Sequence, residues 1–381
     1  MPLTLFKNQI TFWFFLIIWL LCTDFSAAQN LNSSNTQSES ILSWGSDISI
    51  NSWSNVYSIS DVLNNHLSNP DAKSNKLFAS GVGRANLYVS LKECSFGFEK
   101  TYMAAAKSNS DTLSIYNNIN SQGFSPVLGS QYFPIISSTA LTGFGAAIGC
   151  FATDKSGISL GGSIHANSLN KFTQHSYQGA VSAGPNGASV ILNENWIAMT
   201  SQLPELQTNN SVGQYYSFDL DLGYQKNDVP FFGNLIIYNL LSSIYLDNIS
   251  YLIRNLNATF PKGGIIQNGT IPPLTGNYGN QDIALKIPKI WSSDFGYHFN
   301  KNIDLGVKLN GVDQYYQTLY FTTFRCPTCQ ISNGFTAVID TNASTIGLGY
   351  TGSQWSIYIG TLLNHSTGIN SINQMNLTTR F

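Results

Sequence analysis

His365 and Ser366 stand side by side, and a histidine within reach of a serine hydroxyl is the pairing of a general base with a nucleophile. That chemistry suits lipid hydrolysis, so both residues are catalytic candidates. Neighbouring side chains of one strand point to opposite faces, which works against the hydrogen bond that activation needs. A polar turn is the plain reading of the same residues. Gly157-Ile158-Ser159-Leu160-Gly161 matches the letters of a nucleophile elbow. An elbow needs a strand, a sharp turn and a helix, and these residues continue an alternating strand pattern instead. Asp219 and Asp221 share one face two residues apart, as do Asp304 and Lys308 four apart. As a catalytic pair they lack a partner at a defined distance. As the lining of a water-filled interior they need none.

The cysteines and histidines offer less. Cys22 falls in the leader region, leaving Cys94, Cys150, Cys326 and Cys329. An even count in an exported chain permits disulfides. Cys326-Pro-Thr-Cys329 can close a local loop, which leaves Cys94 with Cys150, but four cysteines allow three pairings. Metal or redox use of a CxxC motif needs a second ligand pair or a strand-to-helix context, and neither is in view. His66, His165, His175, His298 and His365 show no metal-ligand spacing. Each is expected to be a solvated lumen or loop histidine. No metal and no cofactor are expected.

The elements that must position these residues are strands. Ala85, Leu87, Val89 and Leu91 alternate with Asn86, Tyr88, Ser90 and Lys92. The same period of two runs through 158–167, 215–224 and 303–310. Such alternation marks a strand with one oily and one wet face. Pro185-Asn186-Gly187, Asn300-Lys301-Asn302 and Thr351-Gly352-Ser353 separate the runs as hairpin turns. Consecutive strands are therefore antiparallel, and no alternation of strand with helix appears. Phe231–Ile253 is oily throughout and reads as either a pair of strands or a helix.

Composition sets the surroundings. Of 381 residues, 10% are charged and the net charge is −2. That balance excludes nucleic acid as the main partner, because phosphate contacts need a dense Lys/Arg surface. Aromatic residues make up 13%, which argues against simple disorder. Residues 1–28 read as a signal peptide: Lys7, an apolar run from Ile10 to Cys22, then Ser26-Ala27-Ala28. Residues 29–79, rich in Asn and Ser, read as an N-terminal extension or plug, and 80–381 as the sheet.

An oily sheet face in water must be covered by another layer. In a membrane it can face lipid while the wet face lines a lumen. Several runs are about nine residues long, near the 9–11 that span a bilayer when tilted. Aromatics cluster at run ends: Tyr215-Tyr216 and Tyr224, Trp291 and Phe299, Tyr315-Tyr316 and Phe324, Tyr350 and Trp355. Such rings favour the headgroup level. The expected fold is all-β, an antiparallel up-and-down barrel of about 12 strands, with 10 and 14 as the bounds.

With its leader, its low charge, hairpins such as FGYHFNKNIDLGVKL and the closing strand NQMNLTTRF, the sequence resembles Gram-negative outer-membrane β-barrel proteins. The resemblance is to the architecture over about residues 80–381. It implies that Phe381 serves as the signal read by the barrel assembly machinery, that the lipid bilayer is a partner, and that Asp219, Asp221, Asp304 and Lys308 line the lumen. The expected function is a channel or transporter for small neutral or amphipathic solutes of unknown identity. The alternatives are a non-conducting structural or adhesive surface protein, a barrel-type lipid hydrolase, and a secreted β-rich glycoprotein. The last rests on N-x-S/T sequons at Asn32, Asn209, Asn248, Asn257, Asn268, Asn342, Asn364 and Asn376.

Overall fold

The structure, a computed structural model, describes residues 42–54, 76–91, 93–115, 129–185, 187–199, 212–226, 228–261, 274–325, 334–340, 345–351, 355–364 and 368–380. Its strands are β1 (Leu42–Ser54), β2 (Leu77–Leu91), β3 (Cys94–Ser108), β4 (Gln131–Tyr132), β5 (Ile135–Thr153) and β6 (Ile158–Gly184). They continue as β7 (Gly187–Ala198), β8 (Val212–Gln225), β9 (Phe231–Pro261), β10 (Leu274–Leu285), β11 (Ile290–Asn300) and β12 (Ile303–Val312). The last are β13 (Tyr315–Arg325), β14 (Gly334–Asp340), β15 (Thr345–Thr351), β16 (Trp355–Asn364) and β17 (Gly368–Arg380). One turn of helix, 110–115, follows β3, with Asn109 Oδ1 accepting from the Thr112 amide at 3.1 Å as its cap. Among the described residues, no helix is long and apolar enough to cross a membrane.

All 17 strands belong to one antiparallel sheet. From β1 the ladder runs through β2, β3, β5, β6, β8, β9, β11, β12, β13, β14, β15, β16 and β17, and β17 pairs with β1 again. The other three strands take no place of their own in that circuit. β4 and β7 pair along the far half of β6, and β10 pairs along the far half of β9. The extra strands arise because β6 and β9 are 27 and 31 residues long, beyond what one crossing needs.

Two expectations change here. Phe231–Ile253 is neither a pair of strands nor a helix but part of the single strand β9. Its β-branched and aromatic side chains suit the pleat, and a local kink absorbs the polar Asn239, whose φ is +59°. β1 falls within the stretch expected to be an extension, yet it is a full member of the sheet. The alternation of Ile48, Ile50 and the following Asn and Ser residues is short, so it is easily missed.

The connections differ at the two ends. At one end most are brief, at 92–93, 154–157, 226–230, 301–302 and 352–354, and 326–333 is longer. At the other they include the long stretches 55–76, 109–134 and 262–273. At the short-turn end Cys94 and Cys150 are register partners on β3 and β5 and form a disulfide. Cys326 and Cys329 lie outside the described residues.

Burial follows the period of two, with polarity reversed from a water-soluble sheet. On β6, Ile164 is 60% exposed and its neighbour His165 is 4% exposed. Leu87, Phe98, Phe144, Leu222, Phe295, Tyr320, Phe335 and Leu348 are likewise exposed. The predicted oily faces of β2, β6, β8 and β12 therefore point outward. Toward the long-connection end the interior turns apolar. Trp53, Phe78, Met103, Leu141, Phe172, Ile244 and Ile290 pack there with almost no exposure.

Candidate functional site in the barrel interior

The central site is built on inward-facing positions of β2, β3, β6, β8 and β9. Ser163, His165 and Asn167 are successive inward residues of β6, a spacing that the pleat puts on one face. Asp219 on β8 is the register partner of Ser163, and β3, the neighbour of β5, brings Glu99 in from the other side. His165 Nδ1 lies 2.9 Å from Glu99 Oε2, and its Nε2 lies 2.8 Å from Ser163 Oγ. Asn167 Nδ2 donates to the other oxygen of Glu99 at 2.6 Å. Arg84 on β2 pairs with Asp219 at 2.6 Å, and Asp219 Oδ2 also lies 3.5 Å from His165 Nε2.

The kink in β9 completes the site. The β8–β9 register slips between Phe218 and Leu220, and Asn239 turns inward with its positive φ. Its amide donates to Asp219 Oδ1 at 2.9 Å, and its side chain accepts a hydrogen bond from the Tyr215 hydroxyl. Tyr238 beside it accepts from Asn51 Nδ2 of β1 at 3.0 Å, and its ring lies 5.3 Å from the Arg84 guanidinium. These contacts join β1 and β2 to β8 and β9 through the interior. Isolated buried charges are costly, and pairing offsets part of that cost, although Arg84 Nε and Asn167 Oδ1 find no hydrogen-bond partner. The network occupies the lumen at mid-height, with the apolar core beyond it.

A second cluster sits at the short-turn mouth. Asp304 on β12 lies 2.6 Å from His298 Nδ1 and 2.7 Å from Arg325. Phe232 stacks on His298 with centroids 4.7 Å apart. A cavity of about 360 Å³ opens beside it, lined by Lys226, Asp228, His298, Lys301 and Arg325 among others. A third cluster pairs His175 with Glu194 at 2.9 Å, between β6 and β7.

The sequence-predicted residues divide accordingly. Asp219 is inside, but as the paired centre of a network rather than a solvated lining. Asp221 is inward on the same strand, nearer the short turns. Asp304 is inside at the mouth, and Lys308 meets Asp294 at 3.4 Å instead of sharing a partner with it. His165, His175 and His298 are paired with carboxylates, not solvated as expected, because each faces an acidic side chain on a neighbouring strand. His365, Ser366 and Phe381 lie outside the described residues, as does His66. Among the described residues, no cluster of three or more His, Cys, Asp or Glu could hold a metal ion. Sequence reasoning missed Arg84, Glu99 and Asn239. Arg84 and Glu99 are charged residues in alternating runs, a signal that was readable. The kink at Asn239 was not.

No family model matches the chain, and no curated protein matches it by sequence. Among solved structures, the toluene transporter TbuX of Ralstonia pickettii is similar at 8% identity and a TM-score of 0.28, over 89% of this chain and 87% of that one. A deltaS2 mutant of the TodX monoaromatic hydrocarbon channel is similar at 10% identity and a TM-score of 0.30, over 89% and 88%. The outer membrane protease OmpT of Escherichia coli is similar at 10% identity and a TM-score of 0.23, over 92% and 100%. Likenesses this remote carry no argument about activity or substrate. By its own geometry, the chain has the architecture of an outer-membrane β-barrel: an antiparallel sheet whose hydrogen bonds return to their starting strand, apolar outside and charged within.

Proposed function

We propose that the chain is an outer-membrane channel or transporter for small neutral or amphipathic solutes. The reversed polarity of the wall supports this. Each exposed Leu or Phe forgoes about 1.5–3 kcal/mol of burial in water, a cost that disappears when the outer face meets lipid. The circuit of strands that returns from β17 to β1 gives each of its members a neighbour on both sides, as hydrocarbon demands. Short turns face the periplasm in such barrels and long connections face outward. A solute would then enter through the apolar segment and leave past the charged network to the short-turn mouth. An apolar segment followed by paired, self-neutralised charge suits neutral or amphipathic cargo better than ions.

The lipid bilayer is the first partner in this reading, and the barrel assembly machinery is the second. The network bridges the lumen from β2 to β8, so conduction requires a path past it. The test is reconstitution of the purified chain into planar bilayers and liposomes. Conductance steps, or solute-dependent liposome swelling, are the expected result. A folded, heat-modifiable barrel with neither would favour the non-conducting surface protein.

A further inference from the structure

We propose that Ser163 is an activated nucleophile, with His165 as its base and Glu99 as the residue that positions the base, and that the site cleaves small soluble carboxylic esters. The inference rests on the barrel fold and its inward faces, not on conduction.

The atoms are in the order that activation needs. Glu99 Oε2 meets Nδ1 of His165 at 2.9 Å, and Nε2 meets Ser163 Oγ at 2.8 Å. A carboxylate on Nδ1 fixes the proton there and leaves Nε2 to accept from the hydroxyl. Glu99 is itself held, since Asn167 donates to its other oxygen at 2.6 Å. Asp219 Oδ2 is 3.5 Å from the same Nε2, too far for a good hydrogen bond, and Arg84 holds it at 2.6 Å. Ser163 is therefore the close partner of Nε2. Ser163 and His165 are two apart on one strand, so the pleat presets their geometry. Glu99 and Asp219 face Arg84 and His165, and a proton gained by His165 leaves two cations against two carboxylates.

Ser163 is also reachable. It is partly exposed while His165 and Glu99 are buried. Its inward neighbours Gly149 and Gly161 carry no side chain, and the Phe151 ring lies against Gly161. A Cβ added at Gly149 would come only within 3.4 Å of the Ser163 Cβ and 3.7 Å of Ser95 Oγ. Ser159 and Gly161 continue the same inward row. Because this row faces the lumen, the substrate is a dissolved ester and not a bilayer phospholipid. Ser163 Oγ bonds to the acyl carbon as its proton passes to Nε2. The ester C–O bond breaks, and the leaving alkoxide takes that proton. Water then adds to the acyl group, giving a proton to Nε2, and the released Ser163 oxygen recovers it. The sum is ester plus water to acid plus alcohol.

The experiment treats the full-length protein in detergent with a fluorophosphonate probe and with p-nitrophenyl acetate. Heat-dependent gel mobility establishes that each variant is folded. The expected result is labelling on the peptide holding Ser163, at a rate that rises with pH as a general base requires. Ser163→Ala should reduce labelling and hydrolysis to background. Glu99→Gln should slow both by about 10²- to 10⁴-fold, with partial recovery in Glu99→Asp. A merely structural Glu99 would not shift the pH profile. Folded wild type that labels no faster than folded Ser163→Ala would overturn the proposal, whatever the conductance shows.

Discussion

Arg84 Nη1 lies 2.6 Å from Asp219 Oδ2, joining β2 to β8 with β3, β5 and β6 between them on the wall. The pair is buried, so its members depend on each other. Removing one partner of a buried pair typically costs about 3–5 kcal/mol, because the other charge stays behind uncompensated. Arg84→Ala and Asp219→Ala should each destabilise the fold by that order, and the double variant Arg84→Met/Asp219→Leu should recover much of it. Urea titration in detergent checks the order. In bilayers, Arg84→Ala should also raise conductance, because the bridge through the lumen is gone. Unchanged conductance would place the barrier elsewhere.

Ile164 and His165 show how the wall separates two environments across one peptide bond. Ile164 is 60% exposed on the outer face, and His165 is 4% exposed within. Arg on a lipid face costs about 2–4 kcal/mol at the bilayer midplane and little at the interfaces. Ile164→Arg should therefore destabilise the barrel by that order in lipid vesicles, but much less in a detergent whose head groups reach the site. Equal effects in both would deny Ile164 a lipid contact.

Much of this was legible from residue order. The period of two in 85–92, 158–167, 215–224 and 303–310 identified the faces correctly, because on a wall one residue thick side-chain alternation is the whole of the pattern. Counting strands was harder. β6 and β9 overrun one crossing, and nothing in a local window says where a strand leaves one neighbour for the next. The pairings inside the barrel were harder still. Glu99 and His165 are 66 residues apart, and their meeting is set by the register of β3 on β5 and of β5 on β6. Histidines read singly as solvated proved to be paired, since sequence shows a residue's own face but not what stands opposite.

Cys94 and Cys150 clamp the β3–β5 register at the short-turn end. The link joins residues 56 apart in sequence, and a native disulfide closing a loop of such length contributes about 2–4 kcal/mol, largely by restricting the unfolded chain. Cys94→Ser/Cys150→Ser should unfold at correspondingly lower denaturant. Reductant should lower the wild-type midpoint toward that of the variant and leave the variant unmoved. A variant as stable as wild type would show that strand pairing alone fixes the register.

Asp154 organises the exposed β5–β6 turn and should give it a pH dependence of known sign. Its carboxylate accepts from the Ser156 hydroxyl at 2.6 Å and from the Ile158 and Ser156 amides at 2.9 Å each, and Gly157 supplies the φ of +91° that the turn requires. The hydroxyl first, and then the amides, hold the carboxyl below its ordinary value. A carboxyl depressed in the folded state contributes stability that is complete above its unfolded value and lost as pH falls through the folded one. The midpoint of wild type should therefore exceed that of Asp154→Ala at neutral pH. The gap should close in acid, below the usual carboxylate range, as protonation removes the acceptor. Because the group is exposed, added salt should narrow the neutral-pH gap only slightly, since neutral donors rather than ion pairs hold the carboxylate. Denaturant midpoints of both proteins from acid to neutral pH check this, and a gap that does not vary with pH would assign the turn's stability to Gly157 and the backbone rather than to Asp154.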